Sequence, residues 1–353
     1  MDASILSELP RYLFDGTIRT MEGFRRGMAA SYPVEDDPAG AVEYGVIREF
    51  GKVSLRYYRA RGAARVTPFV MIPPLIKRPF ILDLMPGKSV VENLVNQGFE
   101  VYMVDWIPPT AEDAWRGFEA YVNRDLHRAV QGVLLHSGAG QVSLMGYCFG
   151  ALLATMYTAT HQDLIKNLIT LTMPADTTFM PQPKVKPELV EAILAAYGNV
   201  PAAFINVGMS SLAPLYQLFD KYVGMYRSRE RVGYAEMFRR FELWMNSDVP
   251  MAGQIFRELI NDLVQNNRLF KNEFKLGRHA VDLRNITCPL MNVIGETDDV
   301  VPPPCSLSLL DKVGSSDKLN FLFRTGHMGV AVSSGAQNKI WPQIGQWLVE
   351  RDN

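Results

Sequence analysis

Short apolar runs alternate with segments of helical periodicity from about residue 43 to the end of the chain. The runs at residues 69–72 and 168–171 are almost continuously apolar, as in strands that are buried on both faces. Similar runs occupy residues 99–106, 141–147, 289–295 and 319–323. Residues 114–136 place apolar side chains three or four positions apart, which predicts an amphipathic helix. Strands that alternate with helices predict an α/β fold with a mostly parallel sheet and helices on both faces.

Two elements near the start of this pattern have clear signals of their own. Val53, Leu55 and Tyr57 alternate with polar residues, which predicts a half-buried strand. Further along, Ser89 and Glu92 have the spacing of a capping box, in which each side chain accepts a hydrogen bond from a backbone N–H. We therefore expect a helix to begin at residue 90.

The pattern divides the chain into four predicted parts. Residues 1–42 form an N-terminal leader, residues 43–177 the first part of the α/β core, residues 178–285 a largely helical insertion, and residues 286–353 the second part of the core. The leader has an amphipathic pattern that suits docking against the body or binding a partner. The insertion is rich in aromatic and Met side chains and is punctuated by prolines, so we expect a cap over the carboxyl edge of the sheet.

The composition excludes several classes of protein. With 48% apolar and 21% charged residues, the chain has the makeup of a globular protein with a large core. A net charge of −1 gives no electrostatic reason to bind nucleic acid. The 3 cysteines are too few for a disulfide framework and lack metal-ligand spacing, so we expect a reducing, cytoplasmic location and no metal site. No apolar stretch is long enough to predict a membrane span.

The most informative stretch joins a strand-like run to a helix through Gly146, Cys148 and Gly150. Gly-x-Cys-x-Gly has the form of a nucleophile elbow with Cys in place of Ser. The two glycines allow close backbone packing, and the helix N-terminus behind Cys148 favours a thiolate. The alternative is a structural turn with a buried, inert thiol.

Two later strand ends carry the partners that a nucleophilic thiol needs. Asp298 follows the strand of residues 289–295, and His327 follows the strand of residues 319–323. Nucleophile, acid and His in this chain order, each after a strand, predict the catalytic triad of an α/β-hydrolase fold. Asp299 is the second candidate for the acid and Glu296 the third.

Each candidate residue has a predicted role. His327 takes the thiol proton of Cys148, and Asp298 orients the imidazole. The oxyanion hole is expected to use the backbone N–H of Phe149 and one from the loop after residues 69–72, at Leu75 or at Ile76. Two cysteines lack any such context and are expected to be structural: Cys288 and Cys305.

Several runs of this chain resemble the catalytic subunits of polyhydroxyalkanoate synthases from about residue 45 onwards. The runs that carry the resemblance are Pro73-Pro74-Leu75-Ile76-Lys77-Arg78-Pro79-Phe80-Ile81-Leu82-Asp83-Leu84, Val104-Asp105-Trp106, Gly146-Tyr147-Cys148-Phe149-Gly150, Leu283-Arg284-Asn285-Ile286-Thr287-Cys288-Pro289, Asp298-Asp299-Val300-Val301-Pro302, and Gly326-His327-Met328-Gly329-Val330-Ala331-Val332-Ser333. The short chain resembles the class III (or class IV) form, and so does the stretch Trp244-Met245-Asn246-Ser247-Asp248 through Phe256 and Gln265-Asn266-Asn267. By this resemblance the nucleophile, acid and base again fall on Cys148, Asp298 and His327.

The resemblance implies a transferase that polymerises (R)-3-hydroxyacyl-CoA into polyester through an acyl thioester on Cys148, with release of CoA. It implies no cofactor, since coenzyme A enters only as part of the substrate. It further implies a homodimer or a non-catalytic second subunit as partner, and a place at the polyester granule surface. Two alternatives are a cysteine thioesterase or depolymerase on the same fold, and a non-enzymatic granule protein with a vestigial site.

Two positions depart from the family pattern. The family box usually continues Gly-Gly, whereas Ala151 follows Gly150 here. The acid is often followed by His, whereas Asp299 follows Asp298 here. Both departures leave room for altered substrate use.

Overall fold

The computed structural model describes residues 40–180, 185–212, 233–247 and 249–352. Nearly all of the predicted leader therefore lies outside the described residues. Within the described ranges, eight strands form one sheet in the order β1-β2-β4-β3-β5-β6-β9-β10. These strands are β1 (Gly45–Phe50), β2 (Val53–Tyr58), β3 (Phe69–Ile72), β4 (Val101–Trp106), β5 (Val142–Tyr147), β6 (Ile165–Leu171), β9 (Leu290–Gly295) and β10 (Lys318–Phe323).

The sheet is parallel from β4 through β3, β5, β6 and β9 to β10. Among the described strands of this eight-stranded sheet, only the pairs β1–β2 and β2–β4 are antiparallel. The parallel strands all end at one edge, so the residues that follow them are brought together there. This is the α/β architecture that the alternating pattern predicts.

Helices cover both faces of the sheet. On one face pack the continuous helical segments Ala120–Leu126 and His127–Ser137, with the helix Phe149–Thr160 beside them. On the other face lie Val90–Asn96 and Trp341–Val349. Since helices shield both faces, each face has its own apolar core.

The predicted insertion, residues 178–285, contains mainly helices in its described portions. Its elements are the helices Pro187–Tyr197, Ala202–Leu212, Tyr234–Met245, Gly253–Glu258 and Leu259–Gln265, and a hairpin of β7 (Lys275–Leu276) and β8 (His279–Ala280). The segment Gly253–Glu258 is fixed to the core by the N–H of Gln254, which donates to the carbonyl of Ala114 at 2.8 Å. The division of the chain into a leader, a two-part core and a cap stays a prediction.

Three local expectations need correction. The strand predicted as half-buried from Val53, Leu55 and Tyr57 leaves Tyr57 only partly buried. It also buries Arg56, which pairs with Asp105, and Tyr58, which packs in the apolar core of the second face. The edge strand β1 was missed, since most of its side chains are exposed and give no apolar run.

The third correction concerns two helix starts. The helix expected from residue 114 begins later, after a turn at Ala111–Asp113. At the helix Val90–Asn96, Ser89 accepts from the N–H of Glu92 at 2.8 Å, as a capping box requires. The Glu92 carboxylate, however, accepts from the N–H of Gly87 at 2.7 Å instead of from that of Ser89.

No helix within the described residues is both long and apolar enough to cross a membrane.

Candidate active site

Cys148 lies at the sharp turn between β5 and the helix Phe149–Thr160. Its φ of 53° lies in the left-handed region, which is costly for a residue with a Cβ. Its own N–H donates to the carbonyl of Leu171 on the neighbouring strand at 2.9 Å, which holds the turn in place. This is the strained strand-to-helix turn that the Gly-x-Cys-x-Gly pattern predicts.

The two glycines of the turn allow backbone segments to approach so closely that a residue with a Cβ would clash. A Cβ on Gly150 would lie 2.0 Å from the carbonyl oxygen of Ile72 and 2.7 Å from that of Pro73. A Cβ on Gly146 would lie 2.4 Å from the Cα of Ala151. The start of the helix is therefore pressed against the end of β3, and Ala151 leaves this close packing intact.

Asp298 and His327 meet after β9 and β10. The Oδ2 of Asp298 lies 2.8 Å from the Nδ1 of His327, and both side chains are buried. The other carboxylate oxygen, Oδ1, accepts from the N–H groups of Val300 at 2.9 Å and Val301 at 2.8 Å. Both oxygens are thus fixed, and Asp299 is exposed to solvent. The geometry favours Asp298 over Asp299 as the acid; Glu296 is likewise exposed.

His327 also interacts with the nearby Cys148 side chain. Burial alone lowers the pKa of His327, but the charge of a Cys148 thiolate and the hydrogen bond that His327 donates to Asp298 outweigh it and raise that pKa to about 10. The protonated form of His327 is therefore favoured beside the Asp298 carboxylate. Because Nδ1 is directed at Asp298, we predict that Nε2 exchanges the proton with the thiol and the substrate.

Tyr147 packs against the His327 ring and hydrogen-bonds to its backbone, a contact that the sequence does not predict. The two rings stack with centroids 5.5 Å apart, and the Tyr147 hydroxyl donates to the carbonyl of His327 at 3.2 Å. Burial raises the pKa of Tyr147 well above its ordinary value, so the hydroxyl keeps its proton. The sequence shows an aromatic residue directly before the nucleophile, but it does not show that this residue contacts His327, which lies 180 positions away.

The other two cysteines lie in different surroundings. Both are buried. Burial raises the pKa of Cys288 to about 11 and that of Cys305 to about 12. Thiols of this kind stay protonated at neutral pH and are poor nucleophiles.

The candidate oxyanion-hole groups lie on two adjoining segments. Phe149 is the first residue of its helix, where a backbone N–H has no partner within the helix. Leu75 and Ile76 lie in the loop that follows β3, and the contact of Gly150 with Ile72 and Pro73 places that loop beside the helix start. The roles of Phe149 and Leu75 in stabilising an oxyanion stay predictions.

Three of the other four histidines have contacts elsewhere, and the fourth, His279, lies exposed on β8. His136 hydrogen-bonds with the hydroxyl of Tyr102 at 2.9 Å, and His127 with that of Tyr157 at 3.1 Å. His161 stacks on the Tyr157 ring at 4.4 Å, and burial lowers its pKa. Across the described part of the chain, no group of three or more His, Cys, Asp or Glu side chains is arranged to hold a metal ion.

The two candidate acids can be separated by mutation. We expect Asp298→Asn to lower acyl transfer by roughly 10³- to 10⁴-fold, because an amide neither stabilises the imidazolium nor holds the required tautomer. Loss of the carboxylate charge also lowers the pKa of His327, so the alkaline limb of the pH–rate profile should move to lower pH. Exposed Asp299→Asn is the matched control and should change neither quantity. Equal losses in the two variants would move the acid to Asp299.

Comparison with known proteins first defines the class. A model of the α/β hydrolase fold family matches residues 68–332. A crystal structure of Paleococcus ferrophilus monoacylglycerol lipase is similar with a TM-score of 0.52 and 15% identity, over 85% of this chain and 100% of that chain. The chain is thus an α/β-hydrolase-fold protein, as its strand order and turn geometry indicate.

Sequence relatives narrow this class. The poly(3-hydroxyalkanoate) polymerase subunit PhaC of Haloarcula marismortui is 32% identical, over 90% of this chain and 70% of the relative. The subunit of the same name from Allochromatium vinosum is 32% identical, over 89% of this chain and 90% of the relative. This chain belongs to the family of poly(3-hydroxyalkanoate) polymerase PhaC subunits. The predictions of fold, family and acyltransferase class are confirmed.

Proposed function

We propose that this protein polymerises (R)-3-hydroxyacyl-CoA into polyester and releases CoA, through an acyl thioester on Cys148. One observation carries the proposal. Cys148 lies on a strained turn close to His327, and the Nδ1 of His327 lies 2.8 Å from the Oδ2 of Asp298. Family membership supplies the substrate class, since the relatives are poly(3-hydroxyalkanoate) polymerases.

The first half-reaction loads the enzyme. His327 takes the proton of the Cys148 thiol, and the thiolate attacks the carbonyl carbon of the acyl-CoA. A new C–S bond forms while the carbonyl electron pair moves to oxygen; the pair returns as the C–S bond to CoA breaks. The CoA sulfur leaves with the proton from the His327 imidazolium. One thioester replaces another, so the exchange is nearly isoenergetic.

The second half-reaction extends the chain. A 3-hydroxyl group attacks the Cys148 thioester and gives its proton to His327, so that a C–O ester bond forms and the C–S bond breaks. The electron pair of that bond restores the Cys148 thiolate beside the imidazolium. The proposed chemistry draws on the thiol, the imidazole, the carboxylate and the substrate thioester, and calls for no cofactor.

Both half-reactions pass through an anionic oxygen on the acyl carbon. The backbone N–H of Phe149, and one from the loop at Leu75 or Ile76, would stabilise that charge. Removal of a single such donor typically costs about 10²-fold or more in turnover. The hole is therefore as important to the rate as the proton transfers.

The surroundings of the enzyme follow from its product. We place it at the surface of the growing polyester granule, since an insoluble chain stays tethered to the catalytic thiol until transfer. A homodimer or a non-catalytic second subunit is the proposed partner, in keeping with relatives that are themselves polymerase subunits.

Incubation with 3-hydroxybutyryl-CoA, with and without a candidate second subunit, tests the proposal. Free CoA and polymer are measured in the same reaction. We expect both to appear together, and the second subunit to increase both. Steady CoA release without polymer would instead identify a thioesterase, and release of neither would reject the proposed function.

A further inference from the structure

The loop that carries the predicted oxyanion-hole donor is joined to the insertion at three consecutive residues. Among the described residues, the carbonyl of Ile76 accepts from the N–H of Val249 at 3.3 Å. The ammonium of Lys77 donates to the carbonyl of Met245. The indole N–H of Trp244 donates to the carbonyl of Arg78 at 2.9 Å. We call these three contacts the loop clamp.

The side chains of the clamp are buried, so their polar groups need well-aligned partners within the protein. Lys77 is 7% exposed and Trp244 is 5% exposed. A buried ammonium group is costly unless it is paired. Here it lies at the carboxyl end of the helix Tyr234–Met245, where the helix dipole is negative, and 5.8 Å from the centroid of the Trp244 ring. A shift of either segment would break these contacts of the Lys77 ammonium with the insertion.

Further contacts fix both ends of the same loop. At its start, the indole N–H of Trp106 donates to the carbonyl of Pro73 at 3.1 Å. At its end, Arg240 of the insertion helix donates to the carbonyl of Leu84 at 2.9 Å. The core thus holds the start of the loop, and the insertion holds its middle and end.

We propose that Trp244, Met245 and Val249 of the insertion position the second oxyanion-hole donor, with Lys77 and Trp244 as positioning residues. The inference rests on the proposed function only for the existence of an oxyanion hole. Donors must lie about 2.7–3.1 Å from the developing oxyanion, so a small displacement of Leu75 or Ile76 removes their contribution. Attachment of the insertion and completion of the hole are therefore one structural event.

Two reactions of Cys148 separate this role from general support of the site. Acylation by p-nitrophenyl butyrate passes through an oxyanion and depends on the hole. Alkylation by iodoacetamide displaces iodide at a saturated carbon, forms no oxyanion, and reports the thiolate and its accessibility. CoA release from 3-hydroxybutyryl-CoA is measured in parallel. Because the nitrophenyl ester needs only the hole and the thiolate, failure of the proposed function and failure of the clamp give different results.

The variants are Lys77→Met and Trp244→Phe, so that loss of one variant to misfolding leaves the other. Each has a matched control outside the clamp. Lys318→Met removes an ammonium that donates to the carbonyls of Leu310 at 2.7 Å and Val313 at 3.0 Å. Trp347→Phe removes another buried indole, 6% exposed.

We expect the clamp variants to lower the single-turnover acylation rate at saturating ester by roughly 10- to 100-fold, a part of what a lost donor costs. Iodoacetamide alkylation, and its dependence on pH, should be unchanged or faster. The controls should change neither rate. Acylation at the wild-type rate, or an equal fall in acylation and alkylation, would overturn the inference.

Discussion

Cys148→Ala is expected to abolish acyl transfer and to leave the fold intact. The thiol is the attacking atom in the proposed reaction, and loss of a nucleophile in such a triad costs on the order of 10⁶-fold. Its side chain is only partly buried, so little packing is lost. Cys148→Ser should keep at most a trace of activity, since a hydroxyl gives no stable anion beside His327. CoA release and thermal unfolding measure the two effects.

The matched control is Cys288→Ala, because that thiol is buried and its raised pKa of about 11 keeps it protonated. This variant should release CoA at the wild-type rate. Residual turnover by Cys148→Ala, together with loss of turnover in Cys288→Ala, would show that the nucleophile is Cys288 and not Cys148.

Gly150→Ala is expected to have the next largest effect. The added Cβ would meet backbone oxygens of Ile72 and Pro73 at 2.0 and 2.7 Å, and backbone cannot move aside as a flexible side chain can. The helix would have to leave β3, which separates Phe149 from the loop that carries Leu75. We expect a loss of about 3 kcal/mol in the free energy of unfolding, the cost of severe overpacking, together with loss of acyl transfer.

Denaturant unfolding and CoA release check this result. Gly140→Ala is the control, since a Cβ there meets nothing within 4 Å and Gly140 has no positive φ. Equal stability and activity in the two variants would contradict the close packing at the turn.

The parallel sheet could be predicted from the sequence. So could the convergence of Cys148, Asp298 and His327 at one edge, because each follows a strand of the same sheet. Parallel strands share a direction, so residues after their carboxyl ends converge whatever lies between them in the chain. Strand-like runs bounded by Gly and Pro are local signals, and local signals were sufficient for this part.

Contacts between distant segments were beyond the sequence. Lys77 and Met245 are separated by 168 positions, and no periodicity relates them. Burial of Arg56 depends on its pairing with Asp105, where the two side chains form an ion pair. The stacking of Tyr147 on His327 likewise requires the fold. Such contacts are decided by tertiary packing, which a pattern of apolar positions does not encode.

The two departures from the family pattern also have structural readings. Ala151 is fully buried and lies against Gly146, so the close contact is provided by the glycine on the strand. Asp299 is directed to solvent while the carboxylate of Asp298 is fixed by Val300 and Val301. Neither departure disturbs the His327–Asp298 contact.

The covalent acyl thioester on Cys148 is the central claim, and mass spectrometry tests it most directly. The protein is mixed with 3-hydroxybutyryl-CoA, quenched in acid within one turnover, digested and mapped. We expect a 3-hydroxybutyryl adduct on the Cys148 peptide alone, labile to hydroxylamine and absent from Cys148→Ala. An adduct on Cys288 or Cys305, or CoA release with every cysteine unmodified, would contradict the account.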